Sequence, residues 1–127
     1  MDKPSILICD DEEGIRESLR LILDGHYELI FAADGHEALE ALQRSTPTLM
    51  LLDMKLPKMD GLDTLRSIRQ MAPDLPVLIL SAYHSTEVAQ EAVRLGATDY
   101  IPKPFESKQL LQALETTLKK LGPRKQG

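Results

Sequence analysis

The sequence predicts an α/β fold: five parallel β-strands alternating with five α-helices, (βα)5, doubly wound around one sheet. Three observations carry this. Apolar runs and segments of helical period alternate five times along 127 residues. The runs "SILIC" (5–9), "LMLLD" (49–53) and "PVLILSA" (76–82) are apolar throughout rather than alternating. Such runs suit strands covered by helices on both faces. Right-handed crossovers then leave few arrangements, and the strand order expected is 2-1-3-4-5.

Taken in order, "SILIC" is the first strand. Ile15, Leu19, Ile22 and Leu23 stand at helical spacing and mark the first helix. "YELIFA" (27–32) reads as the second strand, rich in aromatic and branched residues. Asp34 followed by Glu37 forms the pattern of a capping box, and "HEALEALQR" continues as helix. "LMLLD" is the third strand, and Leu62, Leu65 and Ile68 mark the third helix. "PVLILSA" is the fourth strand. Val88, Ala92, Val93 and Leu95 mark the fourth helix, closed by Gly96. "TDYI" (98–101) is a short fifth strand. Leu111, Leu114, Leu118 and Leu121 give the last helix, stopped by Gly122-Pro123. Residues 1–121 are expected to form one domain, with 122–127 a tail or the start of a linker.

Composition bounds the function. Hydrophobic residues make up 43% and charged residues 28%, an ordinary soluble balance. A net charge of −5 argues against nucleic-acid binding through the domain's own field. The single cysteine, Cys9, lies in an apolar run and is expected to be a buried thiol. No apolar stretch approaches the ~20 residues of a membrane span. With no signal-peptide pattern at the start, a cytoplasmic protein is the expectation.

The strand ends carry the chemistry. In a doubly wound sheet, function gathers beyond the carboxyl ends of the strands. The first strand ends in Asp10-Asp11, followed by Glu12 and Glu13. The third ends in Asp53 and the fourth in Ser81, and Lys103 follows the fifth. Crowded carboxylates resist ionisation without a counter-charge. A magnesium ion relieves that, taking one or two carboxylates plus a phosphate oxygen. Asp53 would be the nucleophile, since a carboxylate can form an acyl phosphate. Lys103 would supply a point charge and Ser81 a hydrogen bond to the phosphoryl oxygens. Glu12 and Glu13 read as ordinary first-turn acids at a helix start. Lys58 and Asp60 read as solvated loop charges. His26, His36 and His84 lack metal-ligand spacing, and Met50, Met54, Met59 and Met71 read as core fillers.

Four segments, "ICDDEEGIRESL", "LLDMKLPKMDGLDTLRSIR", "PVLILSA" and "GATDYIPKPF", resemble the receiver domain of two-component response regulators. The resemblance spans essentially the whole chain and implies a flavodoxin-like fold. It implies Asp53 as phospho-acceptor. It implies Asp11 as direct metal ligand, Asp10 nearby and partly acting through water, and the Lys55 backbone carbonyl as a further ligand. The metal it implies is Mg2+, with Mn2+ as a substitute. Ser81 becomes the switch hydroxyl, where threonine is commoner, and Tyr100 the switch aromatic. Lys103–Pro104 matches the family's cis peptide. Pro57 and Gly61 match the turn after the acceptor strand. Lys55 and Tyr83 occupy the positions that tune dephosphorylation. Both are bulky, and a long-lived phosphoryl group is expected.

The implied partners are a sensor histidine kinase or phosphotransfer protein, and an output domain or effector. A homodimer through the face of the fourth helix, fifth strand and fifth helix is a further implication. The segment 81–105 is similar to receivers of NtrC-like activators. Two other readings fit less well. A haloacid dehalogenase-type hydrolase needs a second acid where Lys55 stands. A flavodoxin-like FMN carrier needs a Ser/Thr/Gly-rich loop where "DDEEG" stands. A receiver-like module that is never phosphorylated stays open.

Overall fold

The computed structural model describes residues 3–55, 60–82 and 86–120. Pro57, Lys58, Met59, Tyr83, His84 and the segment from Leu121 onward lie outside the described residues. The order is β1 (Ser5–Cys9), α1 (Glu13–Leu23), β2 (Glu28–Ala32), α2 (Gly35–Arg44), β3 (Leu49–Asp53), α3 (Gly61–Met71), β4 (Val77–Ser81), α4 (Thr86–Arg94), β5 (Asp99–Pro102) and α5 (Ser107–Lys120). All strands pair in parallel, in the order β2-β1-β3-β4-β5.

The apolar runs are buried on both faces because the pleat sends alternate residues into two cores. On one side Leu7, Cys9, Met50, Leu52, Val77 and Ile79 pack against Ala38, Ala41, Leu65, Ile68 and Ala92 from α2, α3 and α4. On the other, Ile6, Ile8, Leu49, Leu51, Leu78 and Leu80 meet Leu19, Leu23, Leu110 and Leu114 from α1 and α5. Cys9 is buried, and burial, then Asp10, push its thiol well above the ordinary value.

Several local expectations shift. Tyr27 lies outside β2, bridging Asp24, because its N–H is turned back to the Leu23 carbonyl. Pro76, Ala82 and Thr98 lie just outside their strands. The capping box is half displaced. Asp34 Oδ1 accepts from Glu37 N–H at 2.9 Å, but Glu37 Oε1 accepts from Ala33 N–H, one residue before the cap. Asp60 is no mere loop charge: its Oδ1 caps α3 by accepting from Asp63 N–H at 2.9 Å. Val93 is exposed rather than packed, and Leu110, unmarked by the sequence pattern, is fully buried. Gly96 does close α4. At φ +91° its N–H donates to Val93 O, and Ala97 N–H donates to Ala92 O. This is the Schellman pair of bonds.

Candidate functional site

The β1–β3 register sets the site. Cys9 pairs with Leu52, so the next residues, Asp10 just beyond β1 and Asp53 at the end of β3, stand side by side. Asp10 is fully buried and Asp53 nearly so. Each carboxylate is oriented by its own backbone. Asp10 Oδ1 accepts from Glu12 N–H at 2.9 Å, and Asp53 Oδ1 from Lys55 N–H at 3.1 Å. These i to i+2 bonds are the turns that short acidic side chains make after a strand.

Lys103 reaches the pair from beyond β5. Its backbone N–H donates to Ser81 O at 2.8 Å, tying the β5 exit to the end of β4. The Lys103–Pro104 peptide is cis. Lys103 Nζ lies 2.7 Å from Asp10 Oδ2 and 3.3 Å from Asp53 Oδ2. A third carboxylate, Glu12 Oε1, also lies 3.3 Å away.

Charge and burial compete here. Burial pushes the Asp53 carboxyl above its ordinary range. The Lys55 N–H opposes that push, Asp10 adds to it, and Lys103 opposes it. Burial alone would lower Lys103. The hydrogen bond and charge of Asp10, then Asp53, outweigh it and leave the ammonium above its ordinary value. Lys103 is therefore fully charged at neutral pH.

Asp11, exposed, completes a group with Asp10 and Asp53 in which one carboxylate oxygen of each lies within 4.8 Å of the others. Three hard oxygen donors from the strand ends fit magnesium or manganese better than zinc, which favours nitrogen and sulfur.

Ser81 is fully buried at the end of β4, beside Pro102 of β5. Tyr100 is half-buried in β5 and packs against the core shared with α3 and α4. Lys55 is exposed beyond β3. The structure thus brings Asp10, Asp11, Asp53 and Lys103 into one group, with Ser81 on the adjoining strand end. Tyr83 lies outside the described residues.

Two contacts escaped the sequence reading. Glu12 is the N-cap residue of α1 rather than a first-turn acid, and its side chain meets Lys103. Arg16 Nη1 donates to the Asp10 carbonyl at 2.7 Å and braces the loop from outside. Neither contact joins neighbouring side chains along α1, so residue spacing carried no signal for it.

Comparison with known proteins agrees with this geometry. The family model for the response regulator receiver domain matches residues 6–115. The response regulator MprA of Mycobacterium leprae is 40% identical over 119 residues, 93% of this chain and 52% of that protein. The chain therefore spans about half the length of the curated relatives it matches. A CheY-like receiver domain from Methanospirillum hungatei superposes with TM-score 0.90 at 31% identity, covering 94% of this chain and 96% of that one. The receiver domain of NtrX from Brucella abortus gives 0.84 at 38% identity, covering 90% and 98%.

Proposed function

The chain belongs to the response regulator receiver domain family, and from that membership we propose that Asp53 accepts a phosphoryl group from a phosphohistidine. The observation that carries this reading is the contact of one buried ammonium, Lys103, with two strand-end carboxylates, Asp10 and Asp53, beside Asp11.

Asp53 Oδ2 is the attacking oxygen, since Oδ1 is held by the Lys55 N–H. A P–O bond forms to Oδ2 as the P–N bond of the phosphohistidine breaks. The electron pair of that bond returns to the imidazole nitrogen. Lys103 follows the charge from the carboxylates to the phosphoryl oxygens. Asp11, Asp53, Asp10 partly through water, and the Lys55 carbonyl would hold Mg2+, with Mn2+ as a substitute. When bound, the ion supplies charge neutralisation at the phosphoryl oxygens. The chain acts as a phosphoryl acceptor taking part in its own modification, not as a turnover enzyme.

The transferred group adds charge and acceptor oxygens beside Ser81. Ser81 turns its hydroxyl toward them, and Tyr100 moves into the space this opens. The face of α4, β5 and α5 then changes and carries the output to an effector or a second copy. A groove of about 490 Å3 between β5 and α5, lined in part by Tyr100, Gln109 and Gln112, lies on this face. The donor is a histidine kinase or phosphotransfer protein, and the setting is cytoplasmic. Lys55 and Tyr83 set the lifetime of the acyl phosphate.

The test is intact mass after incubation with acetyl phosphate, with and without magnesium, for the wild type and Asp53→Asn. Gain of one phosphoryl group that needs both magnesium and Asp53 supports the proposal. No gain, with magnesium shown to bind, favours a module that is never phosphorylated.

A further inference from the structure

We infer that Glu12 tethers the Lys103 ammonium and competes with the incoming phosphoryl group for it, so that Glu12 slows phosphoryl uptake at Asp53. The inference rests on the reading of Asp53 as acceptor. An ammonium has three N–H donors, and Lys103 has three carboxylate partners: Asp10 at 2.7 Å, Asp53 at 3.3 Å and Glu12 at 3.3 Å. Of these, Asp10 and Glu12 accept hydrogen bonds from the ammonium while Asp53 faces it as an ion pair, so a phosphoryl oxygen has to compete with the hydrogen-bonded partners for it.

Burial decides which partner yields. The side chains of Asp10 and Asp53 are 0% and 4% exposed, while that of Glu12 is 60% exposed. Water can replace Lys103 at Glu12, but not at Asp10. Asp53 is the reacting group itself: its Oδ2 passes to phosphorus, and the ammonium follows the charge onto the phosphoryl oxygens. Glu12 is therefore the partner released.

The Glu12 backbone does not move with its side chain. Its N–H is held by Asp10 Oδ1 at 2.9 Å, and its carbonyl accepts from Arg16 N–H at 3.1 Å. Arg16 Nη1 in turn holds the Asp10 carbonyl. The loop is fixed, and only the carboxylate swings. Until it does, it both occupies a donor of Lys103 and repels the anionic phosphodonor.

Two substitutions separate contact from charge. Glu12→Gln keeps the length and loses the charge. Glu12→Asp keeps the charge but withdraws it by one methylene, about 1.5 Å, out of contact with Lys103. Initial rates of phosphoryl uptake from acetyl phosphate are read by intact mass at saturating magnesium, with Asp53→Asn as the blank. In each uptake event a P–O bond forms to Asp53, and the bond to acetate breaks with its electron pair.

Glu12→Gln is expected to be faster by about two- to fivefold, the scale of an exposed ion pair. That gain should shrink as salt is raised. Glu12→Asp should also be faster, by less. A purely structural role for Glu12 would not produce a salt-dependent gain in rate. Equal rates in all three proteins, or a slower Gln variant, overturn the inference. So does an Asp variant at the wild-type rate, because then no tether acts. Absence of uptake in every variant, wild type included, overturns the underlying reading of Asp53 and this inference with it.

Discussion

Asp10 and Asp53 are bound in the same way. Asp10 follows β1 and Asp53 ends β3; each accepts at Oδ1 from the N–H two residues on, and each turns Oδ2 to the same Lys103 ammonium, at 2.7 and 3.3 Å. Two buried carboxylates thus share one buried positive charge. With Lys103 as the ammonium between them, the two carboxylates leave one negative charge in excess. Asp11, the next residue along from Asp10, adds a further negative charge at the open side. That excess of negative charge favours a cation beside the three carboxylates.

Removing the Asp53 charge should stabilise the fold at neutral pH. Its carboxyl is pushed up by burial and by Asp10, against the Lys55 N–H and Lys103. The folded state therefore holds the Asp53 proton more tightly than the unfolded chain does. Its contribution to stability is present below the ordinary carboxylate value and is lost as pH rises through the raised folded value. Above that window the ionised Asp53 is a net cost. Asp53→Asn should melt higher than wild type at neutral pH without divalent ions, and the two should converge in acid. Thermal unfolding followed by circular dichroism across pH reads this. A lower-melting Asn variant at neutral pH contradicts it.

Lys103→Met should have the opposite effect. Lys103 is raised by Asp10 and Asp53 against its burial, so its stabilisation holds through neutral pH and fades only above the ordinary lysine value. Removing it leaves Asp10 and Asp53 buried with no counter-charge, at a cost of roughly 3 kcal/mol. Urea unfolding at neutral pH reads the loss.

Gly61 allows α3 to start against the end of β3. A Cβ there would lie 2.5 Å from Cα and 2.7 Å from the carbonyl oxygen of Met54, both backbone atoms. The Gly61 N–H also donates to that carbonyl at 3.0 Å. Gly61→Ala should cost about 2–3 kcal/mol through overpacking, measured by urea unfolding. Met54 joins Asp53 to Lys55, so the same variant should also bind magnesium more weakly by calorimetry.

Magnesium should raise the melting temperature by mass action. At a concentration one hundred times its dissociation constant the gain is about 2.7 kcal/mol. Asp11→Asn should bind the ion more weakly and show a smaller shift at the same concentration. Chelation should reverse the wild-type shift.

Much of the fold was legible because strands buried on both faces write a plain signal: "LMLLD" and "VLILS" have no polar side to confuse with a helix. Strand ends were less legible. Tyr27 has the composition of a strand, yet a local turn to Leu23 takes its N–H. Val93 has the composition of a core residue, yet the α4 stripe turns it outward. At the site, Asp10, Asp11, Asp53 and Lys103 could be placed together because topology alone gathers strand ends. Glu12 could not. A first-turn acid and a partner of Lys103 look alike in sequence, and only the path of the loop from Asp10 into α1 distinguishes them.

An acyl phosphate at Asp53 is the bond on which every proposed step depends. The direct measurement is reductive trapping: treat the protein with acetyl phosphate and magnesium, reduce with borohydride, and sequence the peptides by mass spectrometry. An acyl phosphate at Asp53 leaves homoserine at position 53 and aspartate at positions 10 and 11. Aspartate intact at 53, with homoserine at another position or at none, would contradict the account.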